Sequence, residues 1–248
     1  MSLLKPLLLF VALVFVLPVL ATVAWWMLQE RPANWRSADW SSSAVLPAAD
    51  ADREAAVYVM AARTGGLKGA FSLHSWIVLK KPGASAYERY DKVGWGSPVR
   101  RNSRAADGFW YSNRPFVVHA VRGEPAEALI PGIERAIASY PYSKNGDYQV
   151  WPGPNSNSFV AHVVRAVPEL GASMPPNATG RDFAAGIGSF GWSPATGDVH
   201  ATLHGLIGFS AGLTSGLELH FLGLVAGVDF ARPALKIPAY GRVELFRS

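Results

Sequence analysis

The 248-residue chain contains no cysteine. That absence excludes disulfides, thiolate metal sites and a cysteine nucleophile, and it suits an oxidising or a reducing compartment equally. Charge is sparse as well, at 17% of residues, and the net charge of +5 is dispersed except at Lys80-Lys81 and Arg100-Arg101. Dispersed basic charge fits solubility or attraction to an anionic membrane surface, and with no nucleic-acid motif beside it a nucleic-acid partner is not expected. No motif implies a cofactor. Apolar residues, by contrast, make up 50% of the chain, enough for one full core or two small ones.

Residues 7–27 form an apolar run without a charge, preceded by Lys5 and ending near Trp25 and Trp26. At about 1.5 Å per residue such a run spans roughly the 30 Å of a bilayer core, with the indoles where interfacial residues belong. Thr22-Val23-Ala24 offers a competing reading as a signal-peptidase site. The length of the run and the bulky tryptophans favour a retained single-pass anchor. The short N-terminal tail most simply stays in the cytoplasm, which puts the body in the periplasm of a bacterial inner membrane.

A polar connector follows over 31–48. The Ala-rich stretch 48–63, ended by Gly65-Gly66, reads as a helix. Residues 69–81 alternate as a strand, with Phe71, Leu73, Ile77 and Leu79 on one face and Ser72, His74 and Trp76 on the other. Strands are also expected over 87–95 and 109–122. A helix is expected after Glu124-Pro125, with its true start placed at Pro131. Beyond Pro175-Pro176, stretches 199–213 and 217–230 flank Thr214-Ser215-Gly216, a hairpin signal. Odd positions there are apolar and even ones carry His200, Thr202, His204, Ser210, Glu218 and His220. This predicts a long two-stranded ribbon whose apolar face is buried on the rest of the protein.

The most informative stretch is Trp151-Pro152-Gly153-Pro154-Asn155-Ser156-Asn157-Ser158-Phe159. Its prolines and glycine force a bend, and Asn155 or Ser156 then stands at the N-cap of a helix with Phe159, Val160, Val163, Val164 and Val167 at the 3.6-residue period. A hydroxyl at the positive end of a helix dipole is either a cap or a nucleophile. Asn155 and Asn157 read as braces of the turn.

Three stretches together resemble a bacterial family of unknown function, domain-of-unknown-function family 3750. They are Lys68 to Trp76, Trp151 to Phe159, and Arg232-Pro233-Ala234-Leu235-Lys236. A more distant likeness is to circularly permuted papain-like proteins of the NlpC and lecithin:retinol acyltransferase types. In those, a histidine on the first strand precedes an Asn-Cys-x-x-Phe at a helix start. By that likeness Ser156, in the place of the cysteine, is the nucleophile and His74 its general base. Asp91, or else Glu88 or Tyr90, orients the imidazole, and the helix-start N–H groups hold the oxyanion. Asn155, Asn157, Trp76 and Trp151 then line the binding cleft. A serine is a far weaker acid than a cysteine and needs an aligned base during attack, so the exchange leads either to a serine hydrolase or to a binding fold.

The expected architecture is α+β. It comprises a transmembrane anchor (1–30), a connector and helix (31–64), a permuted papain-like core of antiparallel sheet with helices (65–175) and a C-terminal β-ribbon extension (176–248). The expected activity is hydrolysis or acyl transfer on amide or ester bonds of envelope lipid or peptidoglycan-like material, the alternative being an inactive envelope-binding or scaffold protein. No metal is expected, since His200 and His204 on a strand lie about 13 Å apart. His119 and His162 read as ordinary histidines. The run from Gly186 to Gly191 matches a dinucleotide glycine pattern but no βαβ unit surrounds it.

Overall fold

The computed structural model describes residues 3–184, 186–194 and 197–246. The fold is α+β, with an N-terminal apolar helix, a five-stranded antiparallel sheet carrying two helices and a seven-stranded antiparallel sheet at the C-terminal end. Helix α1, Leu4–Met27, is apolar and long enough to cross a membrane. A π-helical turn, Ala12–Val16, precedes Pro18, whose missing N–H cannot close a regular turn.

The first sheet holds β1 (Ala56–Arg63), β2 (Leu73–Lys80), β3 (Glu88–Lys92), β4 (Val99–Arg101) and β5 (Phe116–Arg122), in the order β4-β3-β2-β1-β5. Of the stretch 48–63, expected as a helix, residues 56–63 instead run through the sheet as β1, and residues 55–62 are buried on both faces. A short apolar run carries no period that separates a buried strand from a buried helix, and here pairing with β2 and β5 decides. Helix α2, Glu124–Ala138, starts at its acidic first turn and continues through Pro131 rather than beginning there. Helix α3, Ser156–Ala166, buries Phe159, Val160 and Val163 beside Ile133 of α2 and beside Ile77 and Leu79 of β2. At about 1.5–3 kcal/mol for each fully buried side chain, that stripe contributes on the order of 6 kcal/mol. The opposite face of the sheet packs Tyr58, Met60, Trp76 and Val78 against Trp110.

The second sheet is a meander of β6 (Ser189–Trp192), β7 (Val199–Leu203), β8 (Ile207–Gly212), β9 (Gly216–Phe221), β10 (Leu224–Asp229), β11 (Ala234–Ile237) and β12 (Gly241–Glu244). The hairpin at Thr214-Ser215-Gly216 is present between β8 and β9. The long ribbon is not, because turns at Gly205 and Gly223, both at positive φ, fold each arm into two strands. The expected burial is also reversed. Thr202, Ser210, Glu218, His220, Asp229 and Lys236 are buried, whereas Leu203, Ile207, Phe209, Leu217 and Leu219 are exposed. Through β7, β8 and β9 the alternation is present with its polar face turned inward, where ion pairs receive it; beyond the Gly223 turn its phase shifts, and Val225 is buried as expected.

Helix α1 is seated on this body rather than merely attached to it. Phe15 packs on Phe221 at 5.5 Å between ring centroids, and Phe15, Thr22 and Trp26 are buried. Trp26 lies against Gly69 so closely that a Cβ there would stand 2.3 Å from the indole. The Arg31 guanidinium lies over that ring at 3.4 Å, which helps fix the aromatic end of the helix to the body.

Candidate functional site

The start of α3 is built by its two asparagines. Asn155 Oδ1 accepts from the N–H groups of Asn157 (2.9 Å) and Ser158 (3.1 Å), and Ser158 Oγ accepts from the Asn155 N–H at 2.7 Å. This is a capping box, with Asn155 and not Ser156 as N-cap. Asn155 Nδ2 donates to the carbonyls of Val150 and Thr179 and so ties the turn down on both sides. Gly180, at φ +92°, leaves room for it, since a Cβ there would lie 2.2 Å from Asn155 Nδ2. Asn157 joins the helix to the sheet: Nδ2 donates to Leu73 O (2.9 Å) and Thr179 O (2.8 Å), and Oδ1 accepts from Ser75 Oγ at 2.7 Å.

Ser75 and Leu73 share the face of β2 that receives α3, so period-two alternation sends His74 to the other face. There its ring stacks on Trp110 at 3.6 Å and 4° between planes, buried, with no hydrogen-bond partner at Nε2. Burial, with a smaller push from Arg89, holds its pKa well below the ordinary histidine value. Asp91 faces the same side as His74 but is engaged by Arg89 Nε at 2.7 Å, in an ion pair stacked on Trp76. Trp76 is fully buried and donates its indole N–H to Ala106 O. The structure therefore does not bring Ser156 together with His74 and Asp91, and Trp76 does not line a cleft with Ser156. The helix-start N–H groups of Asn157 and Ser158, expected to hold an oxyanion, are occupied by the Asn155 cap.

What surrounds Ser156 is a cleft of about 490 Å³. Its polar side carries Ser156, Tyr148, Thr179 and Ser72, with Lys68 as the single charged side chain. Its apolar side is formed by Phe71, Trp151, Leu222 and Leu224, with Val19 of α1. Trp151 is half exposed and donates its indole N–H to Leu222 O, which joins the turn before α3 to the second sheet. Burial pushes the Tyr148 phenol up to about 12, against the opposing hydrogen bond with Ser156. Thr179 Oγ1 is buried and has no partner among the described residues. Neither Tyr148 nor Thr179 was identified from sequence. Thr179 belongs to the sequon Asn177-Ala178-Thr179, whose Asn177 side chain is buried against the 239–240 backbone.

A second polar cluster lies under the C-terminal sheet. Glu218 pairs with Arg181 and Lys236. Burial alone would raise its carboxyl, but Arg181, His220 and Lys236 together hold it below the usual carboxylate range. Asp182, His200 and His220 each present a ligand atom within 4.8 Å of the others and are the residues that could hold a metal. His204, at an exposed turn, is not among them. Asp182 lies 3.4 Å from Arg181 Nε and 3.6 Å from His220 Nδ1, and that His220 nitrogen is buried with no hydrogen-bond partner among the described residues.

No curated protein and no solved structure matches the chain. A family model does, over residues 54–183, a little over half of the sequence. It takes in β1 to β5, α2, α3 and the Thr179 loop, along with two of the three stretches that first suggested a family; Arg232 to Lys236 lies beyond it. The cleft's polar side thus falls within the matched region, and its α1 and Leu222 walls fall outside. The chain belongs to the family described as "Protein of unknown function (DUF3750)".

Proposed function

We propose that the protein is a membrane-tethered binding module whose cleft at the start of α3 takes a single anionic amphiphile, an acyl chain with a compact polar head. The observation that carries this reading is the make-up of the cleft. Apolar side chains, Val19 of α1 among them, line it together with several hydroxyls and Lys68, and Thr179 Oγ1 has no partner among the described residues. A head group fits the hydroxyls and Lys68, and a chain fits Phe71, Leu222 and Leu224. A retained anchor is part of the proposal. Its support is the seat of Phe15 on Phe221, a contact that cleavage after residue 24 would remove. A periplasmic body is part of the same proposal.

Hydrolysis is the weaker reading because no imidazole or carboxylate is among the described residues that line the Ser156 cleft. A serine must surrender its proton during attack, and the Ser156 hydroxyl pairs instead with the Tyr148 phenol, which burial pushes up to about 12. The permuted papain-like likeness is supported only as far as a capped helix start packed on an early strand. The test uses the full chain in nanodiscs with oleate and a lysophosphatidylglycerol as probes. Binding is expected to weaken at least tenfold in Thr179→Leu and to fall in Lys68→Glu. Unchanged affinity in both variants would refute the assignment, and fluorophosphonate labelling lost in Ser156→Ala would reinstate the hydrolase.

A further inference from the structure

The second sheet is inside out by the standard of a water-soluble protein. Register places Phe190, Ala201, Phe209, Leu219 and Ala226 side by side on its outer face, with Val199, Ala211, Leu217, Val228, Leu235 and Val243 in the parallel row. No outward strand position carries a polar side chain, while the inner face holds His200, Ser210, Glu218, His220, Asp229 and Lys236. Phe190 is 75% and Trp192 63% exposed, so the face is uncovered within the chain. An apolar surface of this extent on a monomer marks an interaction surface.

The position of α1 identifies the occupant. Phe15 is in the middle of the helix and touches Phe221 at one end of the sheet. From Trp26, at the aromatic end, to Phe15 is about 17 Å at 1.5 Å per residue. The part of α1 that projects beyond that contact, Leu4 to Val14, is again only about 17 Å, short of the roughly 30 Å hydrocarbon thickness. For α1 to cross, the Phe221 end of the sheet has to descend about halfway into the hydrocarbon with its apolar face outward. The strands themselves are four to six residues long, too short to span. We propose that the outer face of this sheet is embedded in one leaflet of the bilayer, a second membrane contact beside the helix, and this rests on the retained-anchor reading above.

With no native cysteine, single labels report unambiguously. The full chain carrying Phe209→Cys, and separately Leu217→Cys in case the first does not fold, is labelled with an environment-sensitive fluorophore in liposomes containing lipids with nitroxides along the acyl chain. Leu13→Cys in α1 and Glu127→Cys on α2 serve as lipid-side and water-side controls. Several-fold quenching of the sheet labels by acyl-chain nitroxide and none by aqueous iodide is the expected result. Iodide quenching of the sheet labels, with Leu13 quenched by lipid, would overturn the embedded sheet and leave the anchor standing. Protection from both quenchers would also overturn it, by showing the face covered by a second copy. Iodide quenching at Leu13 as well would remove the anchor reading itself.

Discussion

Replacing Asn157 by Ala tests the account of how α3 is held against β2. The side chain makes three buried hydrogen bonds, to Leu73 O, Thr179 O and Ser75 Oγ. Truncation leaves the Ser75 hydroxyl and Leu73 O without these partners, while Thr179 O keeps its bond from Asn155. An unsatisfied buried group costs about 1–3 kcal/mol, so the loss should be about 3–4 kcal/mol once a small cavity is included. For a chain of this size each kcal/mol moves the melting midpoint by about 2–4 °C, which makes the expected drop about 6–15 °C. The assay is thermal unfolding of the full chain at fixed detergent concentration, alongside Ser156→Ala. Ser156 sits at the first helical position and does not cap, and its loss removes only the bond to the partly exposed Tyr148, so it should cost about 1 kcal/mol. An Asn157→Ala midpoint within 2 °C of wild type, or a Ser156→Ala drop exceeding it, would refute the reasoning.

Three further outcomes are expected. His74, buried with its pKa well below 6.5, binds a proton more readily in the unfolded chain, so its contribution is intact above pH 6.5 and is lost as the pH falls toward the folded pKa. The slope is roughly 1.4 kcal/mol per pH unit, and His74→Phe should remove that share of the decline in midpoint between pH 7 and pH 5. Glu218 has a depressed pKa, so the stability it supplies is present above its unfolded value and is lost only under stronger acid. Glu218→Gln should therefore lower the midpoint at pH 7 and flatten the profile below about pH 4.5. Gly69→Val should push Trp26 from its seat, and a spin-label pair between residues 23 and 68 should show a broadened distance distribution, while Gly191→Val, where the space is open and φ is not positive, serves as the control for insertion.

Much of the local structure was legible because it has a period or a cap. The α3 stripe, the alternation of β2 and the turn at Thr214-Ser215-Gly216 are local patterns, and each is present. The failures concern what lies on the far side of a pattern. Alternation says that His74 and Ser75 point oppositely, but not which of them faces α3, and that choice separated the expected pair. Residues 55–62 are apolar at nearly every position, so they carry no period, and only neighbours on both edges make them a strand. In the C-terminal sheet the two faces were distinguishable in sequence, but the inside was assigned by the habit of soluble proteins. The partners that invert it, Arg181 and Asp182, lie outside the sheet and give no local signal. The cleft residues Tyr148 and Thr179 come from separate segments and become neighbours only when Asn155 ties the turn to the Thr179 loop.

The reversed polarity of the second sheet has a practical corollary. Trimming the first thirty residues is the usual route to a detergent-free ectodomain, but here it would uncover Phe221 and Trp26's seat at Gly69 while leaving Phe190, Phe209 and Leu219 facing solvent. Such a fragment should precipitate or cling to micelles as tenaciously as the intact chain, so its greasiness belongs to the ectodomain as much as to the leader.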